Sequence, residues 1–445
     1  MYKNSTNQFL KPVTTKINDA GNLEIGGCDT VELVEKYGSP LYVMDETTLR
    51  NICCDYKSAF SSYPKVNMMF ASKALCTMGT SALIASEGFG FDVVSAGEIY
   101  TVYKAGADMS KVLFNGNNKS FDELTLAIEL GVGRISVDNF FELSLLNEIA
   151  KSHNKIIDIL LRITPGIECH THEYIQTGHL DSKFGFDLTQ IDEAVELILS
   201  EYNNLKLRGL HAHIGSQIFE TKVYHDEIEI LVREIKRLDD KFGLSLDEIN
   251  IGGGLGVKYT EKDVPPSAYE IADVILKSLN TSVEKYQINP PALFIEPGRS
   301  IVSTAGVTLY TIGSSKQVPK GKKYIAVDGG MADNPRPSMY QAEYSAIIAN
   351  KPLAENNTKV TIAGRFCESG DILIKDIELP NPEEGDILCV FNTGAYNYSM
   401  ASNYNRVQKS AMVLVNNSQS DIIINRETLD DIVYGDVVPD RLKIK

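Results

Sequence analysis

The chain has 445 residues, more than one barrel domain requires, so we expect a second domain. Its 43 basic and 59 acidic side chains give a net charge of −16, which would repel nucleic acids and anionic membranes. The N-terminal residues are polar, no segment has the length and apolarity of a membrane span, and the seven cysteines form no paired framework. We therefore expect a cytoplasmic enzyme of small molecules, with no nucleic-acid or membrane partner.

Short apolar runs recur before Ser300, and each ends in a polar or glycine cluster. Stretches with apolar residues three and four apart separate them, such as 120–130, 140–152 and 226–241, and this spacing is typical of helices. Strand and helix in alternation predict a parallel (β/α)8 barrel. The predicted strands and their polar ends are 68–73, 90–92, 112–115, 135–138, 159–162, 210–215, 249–254 and 293–299.

Catalytic groups in such barrels lie at the carboxyl ends of the strands, and two of these ends are unusual. The sixth carries His211 and His213, which share one face because side chains alternate along a strand. The seventh ends in Gly252, Gly253 and Gly254, and glycines let backbone N–H groups approach an anion closely. Their position predicts a phosphate site, and a plain tight turn is the alternative interpretation.

After Ser300 the long helix-like stretches are replaced by strand-like runs, which predict a C-terminal all-β domain. We predict three segments: 1–40 joins the β domain, 41–305 forms the barrel and 306–445 forms the β domain. Residues 22–25 are expected to add a strand to the β-domain sheet. The predicted strands after Ser300 are 324–327, 360–363, 387–391 and 411–415.

A series of motifs extends over nearly the whole chain, and together they resemble the fold-type III pyridoxal-phosphate decarboxylases. The resemblance implies an alanine racemase-like barrel, pyridoxal 5'-phosphate as cofactor, and a homodimer with shared active sites. Within the family it is closest to members that convert meso-2,6-diaminopimelate to L-lysine and CO2, the final step of lysine biosynthesis. The motifs are Ala-Ser-Lys-Ala at 71–74, Asp-Val-Val-Ser-Ala-Gly-Glu at 92–98, His-Ala-His-Ile-Gly-Ser-Gln at 211–217, Gly-Gly-Gly at 252–254, Glu-Pro-Gly-Arg at 296–299, Arg-Pro-Ser-Met-Tyr at 336–340, Cys-Glu-Ser at 367–369 and Gly-Ala-Tyr at 394–396.

The resemblance implies roles for residues of the barrel. Lys73 would carry the cofactor as a Schiff base, and Glu296 would keep the pyridine nitrogen protonated so that the ring accepts the electron pair left by CO2. His213 would stack on the ring. A solvated surface lysine and a turn-capping carboxylate are the alternative interpretations of Lys73 and Glu296. The other cofactor-binding residues that the resemblance implies are Asp92, Arg162, Ser216, Gly252, Gly253, Gly254, Gly298, Arg299 and Tyr396.

Residues of the β domain would complete the site. The resemblance implies that Cys367 of the neighbouring subunit protonates the product carbanion and that Glu368 pairs with the distal ammonium of the substrate. Arg299, Arg336, Tyr340 and Tyr396 would hold the substrate, since guanidinium groups fit a second carboxylate bidentately. A structural cysteine and a surface arginine are the alternative interpretations of Cys367 and Arg336.

Other activities of the same fold stay open. Ornithine-type members have an acidic residue where Arg336 stands, and an arginine would repel the terminal ammonium of ornithine, so we favour diaminopimelate. A decarboxylase of ornithine, arginine or lysine is the alternative, followed by an amino-acid racemase and a non-catalytic binding protein. The family pattern before Cys367 has Gly-Pro, whereas here Arg365 follows Gly364, which frees φ and restores an N–H.

A metal site is the rival interpretation of His211 and His213. Zinc would require further histidine or carboxylate ligands, whereas the other predicted strand ends offer lysine, arginine, glycines and a few acids. His170, His172 and His179 lie in one predicted loop, but their spacing matches no helical or finger pattern. We therefore predict no metal.

Overall fold

The computed structural model describes residues 2–167 and 182–443. Its chain divides into two compact units. The first, which we call the barrel unit, comprises Met1–Leu10 and Thr48–Thr304. The second, the sheet unit, comprises Lys11–Thr47 and Ala305–Lys445.

The barrel unit is a closed parallel sheet, which confirms the predicted (β/α)8 barrel. The strands pair in chain order, and the fifth pairs with both the fourth and the sixth. The eighth strand pairs with the first, with Leu293 opposite Val66, and this pairing closes the ring. In the described part of the chain the eight barrel strands are Val66–Ala71, Gly90–Val93, Val112–Phe114, Arg134–Val137, Ile157–Thr164, Leu205–His211, Glu248–Asn250 and Ala292–Ile295. A short strand, Phe186–Asp187, also pairs with the fifth.

The barrel strands are apolar because a parallel sheet covered by helices is buried on both faces. Gly90–Val93 and Val112–Phe114 are buried along their whole length. Part of the interior is filled by Met69, Leu113, Leu160 and Phe294, which come from the first, third, fifth and eighth strands. Polar residues start where the strands end, so the functional groups gather at one rim.

The helices between the strands begin at residues that satisfy their first N–H groups. Ser120 and Glu123 form a capping box before Phe121–Leu130, and the Asn139 side chain accepts from the N–H of Glu142. Each of these N-cap residues thus fixes the position at which its helix begins. The helices of this part of the chain are Glu46–Ala59, Met78–Ser86, Ala96–Lys104, Phe121–Leu130, Phe140–Ser152, Ile191–Ser200, Lys222–Phe242, Ala268–Tyr286 and Arg299–Val302.

The sheet unit contains a mixed sheet with short helices. Its main path runs in the order Ile372–Leu379, Thr358–Ala363, Lys323–Val327, Gly306–Gln317, Leu41–Asp45, Ala411–Asn416 and Gln419–Ile424. Ile387–Phe391 pairs with both Gly306–Gln317 and Ala346–Ile348. The helices are Thr30–Tyr37, Arg336–Tyr340 and Leu429–Val433.

Three predictions about the N-terminal segment are wrong. The residues up to Leu10, expected to join the β domain, belong to the barrel unit. Leu41–Asp45, which lies in the range predicted for the barrel, pairs with Gly306–Gln317 and Ala411–Asn416 in the sheet unit. Residues 22–25 do not join that sheet, because Leu23–Ile25 forms a separate sheet with Lys16–Ile17 and Cys28–Asp29. Leu23 nevertheless packs in the same apolar core as Leu41, which is how this segment belongs to the sheet unit.

A helix that crosses a membrane must be both long and apolar, and the helices of the described ranges do not meet this requirement.

The core of the sheet unit predicts the effect of shortening Leu41, which is 0% exposed. We expect Leu41→Ala to lower the free energy of unfolding by about 2–5 kcal/mol, because it removes buried methyl groups and leaves a cavity. Leu353→Ala is the control, since Leu353 is 78% exposed, and we expect a change within about 0.5 kcal/mol. Urea titration followed by circular dichroism measures both, and equal values would contradict the central position of Leu41.

Candidate active site

Lys73 lies at the carboxyl rim of the barrel. It belongs to the short turn Ser72–Ala74, which directly follows the first strand. Its Nζ is 3.6 Å from Oδ2 of Asp92, and 38% of its side chain is exposed. Asp92 is buried at the end of the second strand, and its Oδ1 accepts from Asn115 at 2.6 Å. The site therefore holds an amine beside a carboxylate, open to a small molecule.

Glu296 is a buried carboxylate just after the eighth strand. Its Oε1 accepts from Asn250 at 2.7 Å and from Asn115 at 3.2 Å. Its Oε2 lies 3.6 Å from Nε2 of His211. Burial opposes ionisation, but His211 and Lys73 outweigh it and hold the pKa of Glu296 below its usual range. Burial also raises the pKa of the neighbouring Asp92, and Glu296 adds to this effect. The protein thus keeps a negative charge at Glu296.

The two histidines of the sixth strand end have different surroundings. His211 is buried, and its Nδ1 lies 2.7 Å from Oγ of Ser136. Nδ1 of His213 accepts from the N–H of Gly253 at 3.2 Å. Burial lowers the pKa of His213 well below its usual value, and Lys73 and Arg162 add to this effect. His213 is therefore a neutral imidazole with its hydrogen on Nε2, an aromatic face without charge.

The glycine turn after the seventh strand leaves no space for side chains. Gly252 has a φ of +61°, and a Cβ there would lie 2.5 Å from Nδ1 of His213. A Cβ on Gly253 would lie 2.1 Å from the carbonyl oxygen of Glu296. The N–H of Gly252 donates to Asn250 at 2.8 Å, and that of Gly253 donates to His213. These two N–H groups thus hold the turn against the site, which differs from the prediction that they face a phosphate.

Two arginines add positive charge to the barrel rim. Arg299 is buried and donates to Oγ of Ser216 at 3.0 Å and to the hydroxyl of Tyr259 at 2.8 Å. Arg162 stacks over the ring of Phe184 at 4.3 Å. Arg299 therefore brings its charge to Ser216, one of the residues predicted to hold the phosphate.

Close packing beside Lys73 explains Gly298. A Cβ on Gly298 would lie 2.9 Å from the Cβ of Ala71, two residues before the lysine. Gly298 therefore allows the chain after Glu296 to approach the end of the first strand.

In the sheet unit, Arg336 starts the short helix Arg336–Tyr340 and is 7% exposed. Its Nη1 donates to the hydroxyl of Tyr344 at 2.7 Å, and that hydroxyl donates to Asn397 at 3.3 Å. Asn397 follows Tyr396, whose φ of +60° lies in the left-handed region. Arg336 is thus linked through Tyr344 to Asn397, the residue after the predicted substrate residue Tyr396. Tyr340, at the end of the same helix, is partly exposed.

The turn that carries Cys367 and Glu368 is exposed, but its backbone is held in place. The N–H of Cys367 donates to Asn405 at 2.9 Å, and its carbonyl accepts from Tyr404 at 3.2 Å. The N–H of Arg365 donates to the carbonyl of Gly329 at 2.9 Å. A proline at position 365 could not make that bond, so the departure from the family pattern adds a hydrogen bond to this turn.

The same turn is anchored from inside the sheet unit. Asp371 is buried, and its two oxygens accept from the N–H groups of Met331 at 2.7 Å and Phe366 at 2.8 Å. Ser338, on the helix of Arg336, donates to the carbonyl of Gly370 at 2.8 Å. The predicted substrate helix and the Cys367 turn are therefore connected.

A metal site within residues 2–167 and 182–443 would need several clustered ligands. No group of three or more histidine, cysteine, aspartate or glutamate side chains there could hold a metal ion. His170, His172 and His179 lie outside the described residues.

Several residues of the site were not predicted. Asn115 and Asn250 bind the two central carboxylates, and both stand at strand ends, the same signal that identified Lys73. Ser136, in the fourth strand, and Tyr259, in a loop, have no comparable signal in the sequence. Their roles depend on contacts that only the closed barrel brings together.

Comparison with known proteins identifies the family. Residues 49–303 match the model described as "Pyridoxal-dependent decarboxylase, pyridoxal binding domain". The chain belongs to the pyridoxal-dependent decarboxylases. It is 50% identical to diaminopimelate decarboxylase of Synechocystis, covering 98% of this chain and 95% of the relative, and 47% identical to that of Bacillus subtilis, covering 95% and 97%. The crystal structure of diaminopimelate decarboxylase from M. jannaschii in complex with L-lysine is 34% identical and superimposes with a TM-score of 0.92, covering 98% of this chain and all of that one.

The residues of this decarboxylase fit its cofactor. An accessible amine at Lys73, an anionic carboxylate at Glu296 and a neutral ring at His213 are the groups that a pyridoxal ring requires. A Cβ on Gly252 or Gly253 would clash with His213 or with the carbonyl of Glu296, so only glycine lets this turn lie so close to the site. The barrel unit therefore has the donor set for pyridoxal 5'-phosphate.

The close packing of the turn at Gly253 predicts that a methyl group added there weakens cofactor binding. Gly253→Ala would place a Cβ 2.1 Å from the carbonyl of Glu296, so the turn must shift, and we expect at least tenfold weaker cofactor binding in a folded protein. Gly435→Ala is the control, because nothing lies within 4 Å of a Cβ there. Equilibrium dialysis with pyridoxal phosphate measures the affinity, and an unchanged value for Gly253→Ala would contradict the role of the turn.

Proposed function

We propose that this decarboxylase acts on the D-configured centre of meso-2,6-diaminopimelate and releases CO2 and L-lysine in the cytoplasm. The observation that carries the proposal is Arg336, a buried guanidinium on a fixed helix of the sheet unit. Such a group suits a second carboxylate and would repel a terminal ammonium. Relatives that carry the name diaminopimelate decarboxylase at 47–50% identity support the same substrate.

The barrel residues have distinct roles in this proposal. Pyridoxal phosphate, when bound, supplies an electron sink for the pair left by CO2. Lys73 binds the cofactor through its amine, and Glu296 holds a proton on the ring nitrogen. The charge on Glu296 is what makes it the right partner, since a neutral acid could not stabilise a protonated pyridine. His213 covers the ring with an uncharged face.

The remaining barrel residues hold the charged end of the cofactor. Ser216 and the turn at Gly254 bind the phosphate in this proposal. Arg299 supports them because its guanidinium already donates to Ser216, which fixes the hydroxyl and adds positive charge. Asp92 stays beside Lys73 and stabilises its ammonium form before the cofactor is bound.

Substrate selection falls to the sheet unit. Arg336 and Tyr340 hold the distal carboxylate, and Glu368 pairs with the distal ammonium. Tyr344 donates no hydrogen to Arg336 but accepts one at 2.7 Å, and this contact orients the guanidinium. A decarboxylase of ornithine, arginine or lysine would have no use for a buried arginine at this position.

Cys367 is the proton donor for the product carbon in this proposal, and it acts in the neighbouring protomer of a homodimer. Cys367 and Glu368 are both exposed within their own protomer, as expected for residues offered to another subunit. Asn405 and Asp371 of the same protomer nevertheless fix the backbone of this turn, so its conformation does not depend on the second subunit.

The substrate is tested by assaying CO2 and amino-acid products from meso-diaminopimelate, ornithine, lysine and arginine with pyridoxal phosphate present. We expect turnover of meso-diaminopimelate alone. Arg336→Met should lower its kcat/KM about a hundredfold, because one charged bidentate contact is lost. Arg365→Met is the control, an exposed arginine whose backbone bond is kept. Activity confined to another amino acid would refute the substrate and retain the family.

The shared site is tested by mixing two inactive chains. We expect Lys73→Ala, co-expressed with a Cys367→Ala/Glu368→Ala chain, to recover about a quarter of wild-type activity, because half of randomly formed dimers then hold one intact site. Lys73→Ala mixed with Glu296→Ala is the control: both changes lie in the barrel unit, so no intact site can form. Equal recovery in both mixtures, or none in the first, would refute shared sites.

A further inference from the structure

A row of buried polar groups crosses the barrel interior from an outer helix to the central carboxylate. We call it the interior row, and its members are Glu142, Lys119, Ser136, His211 and Glu296. All five are buried, with exposures from 1% to 4%. They come from different parts of the barrel unit, so the row exists only in the closed barrel.

The first half of the row fixes Ser136. Lys119 pairs with Glu142 at 2.7 Å and donates to the carbonyl of Ser136 at 2.7 Å and to that of Gly116 at 2.8 Å. Glu142 in turn accepts from the N–H of Asp138 at 3.0 Å. The backbone of Ser136 and that of Asp138, on either side of the end of the fourth strand, are thereby bound to one ion pair, which fixes the backbone from which the Ser136 side chain projects.

The second half of the row orients His211. Nδ1 lies 2.7 Å from Oγ of Ser136, and Nε2 faces Oε2 of Glu296 at 3.6 Å. Nε2 makes no hydrogen bond within the described residues, and the carboxylate of Glu296 is close enough to act on it through its charge. A hydrogen on Nε2 is attracted to the carboxylate, whereas a lone pair there would be repelled. The favourable arrangement has the Ser136 hydroxyl donating to Nδ1.

We propose that Ser136 is a positioning residue: its hydroxyl holds His211 in the Nε2–H tautomer, aimed at Glu296, and so fixes the charge that faces the cofactor ring. The inference rests on the proposed role of Glu296 as partner of the ring nitrogen. Ser136 itself touches neither cofactor nor substrate in this scheme. Loss of its hydroxyl would leave Nδ1 without that partner, so the preference for the Nε2–H form would weaken to the part that Glu296 supplies and the other tautomer would be populated.

Other titratable groups also act on His211, and the test must separate their effect from that of Ser136. Asp92, Asp138, His213 and Glu296 all interact with it electrostatically. Replacing Ser136 alters none of these four residues. A change in the tautomer of His211 in that variant can therefore be attributed to the loss of the Ser136 hydroxyl. The chain has seven histidines, few enough for each to be resolved by nitrogen-15 NMR.

The experiment measures the tautomer of His211 in the full-length holoenzyme by long-range proton–nitrogen spectra, with His211→Gln used to assign its signals. We expect the Nε2–H form in the wild type and a mixture of forms in Ser136→Ala. The same variant should lose about tenfold in kcat, with KM within about twofold, as expected for one hydrogen bond near a charge. Ser136→Thr keeps the hydroxyl and should restore both.

Ser278→Ala is the matched control, a buried serine on helix Ala268–Tyr286 outside the interior row, and it should change neither readout. A wild-type His211 with its hydrogen on Nδ1, or on both nitrogens, overturns the proposal even if Ser136→Ala fails to fold. An unchanged tautomer in Ser136→Ala overturns it too. If Glu296→Gln keeps full kcat, the proposed role of Glu296 fails, and the catalytic consequence of Ser136 fails with it. The two failures can be told apart, because the kcat of Glu296→Gln tests the role of Glu296, whereas the tautomer of His211 in Ser136→Ala tests the role of Ser136.

Discussion

The site depends on one constraint, the burial of an ionised carboxylate at Glu296. Removing a carboxylate from water costs several kcal/mol unless donors replace the solvent. Asn115 and Asn250 supply two such donors from the third and seventh strand ends, and His211 lies near the other oxygen from the sixth. These contacts require the strands to be in register around a closed ring. The charge on Glu296 is therefore stabilised only when the barrel is closed.

That constraint also explains why several residues of the barrel rim each contact two groups of the site. Asn115 serves both Asp92 and Glu296, and Asn250 serves both Glu296 and the N–H of Gly252. Gly253 bonds to His213 while its missing side chain gives room to the chain after the eighth strand. A substitution at one of these positions is therefore felt at two groups of the site, and single-residue effects there will not add.

Much of the fold could be predicted from the sequence, because parallel strands buried on both faces leave continuous apolar runs separated by helical periods. Leu41–Asp45 carries the same signal and lies in the range predicted for the barrel, although it pairs in the sheet unit, because burial on two faces looks alike in either unit. Gly306–Gln317 was missed since its second half is exposed and polar. Apolar runs identify strands, whereas their partners are decided by tertiary packing.

The site was predictable where a residue type is unusual for its place, as with Lys73 at a strand end. It was not predictable where an ordinary residue acquires a role from its neighbours. Lys119 and Glu142 look like surface charges in the sequence, and only the fold shows them buried and paired. The same holds for Ser136, since a serine within a strand has no feature that indicates a histidine partner.

A net charge of −16 opposes the binding of an anionic cofactor and a dicarboxylate substrate only where its charges lie close enough to the site to act on them. Exposed charges farther away than about 8 Å are largely screened at physiological ionic strength, whereas buried groups act at nearly full strength. Within the barrel rim the carboxylates of Asp92 and Glu296 are faced by the ammonium of Lys73 and by Nε2 of His211, and the buried Arg299 is directed to Ser216. An acidic protein can therefore keep a local site for anions, provided that a buried cation such as Arg299 lies beside that site and the exposed carboxylates lie beyond the screening distance.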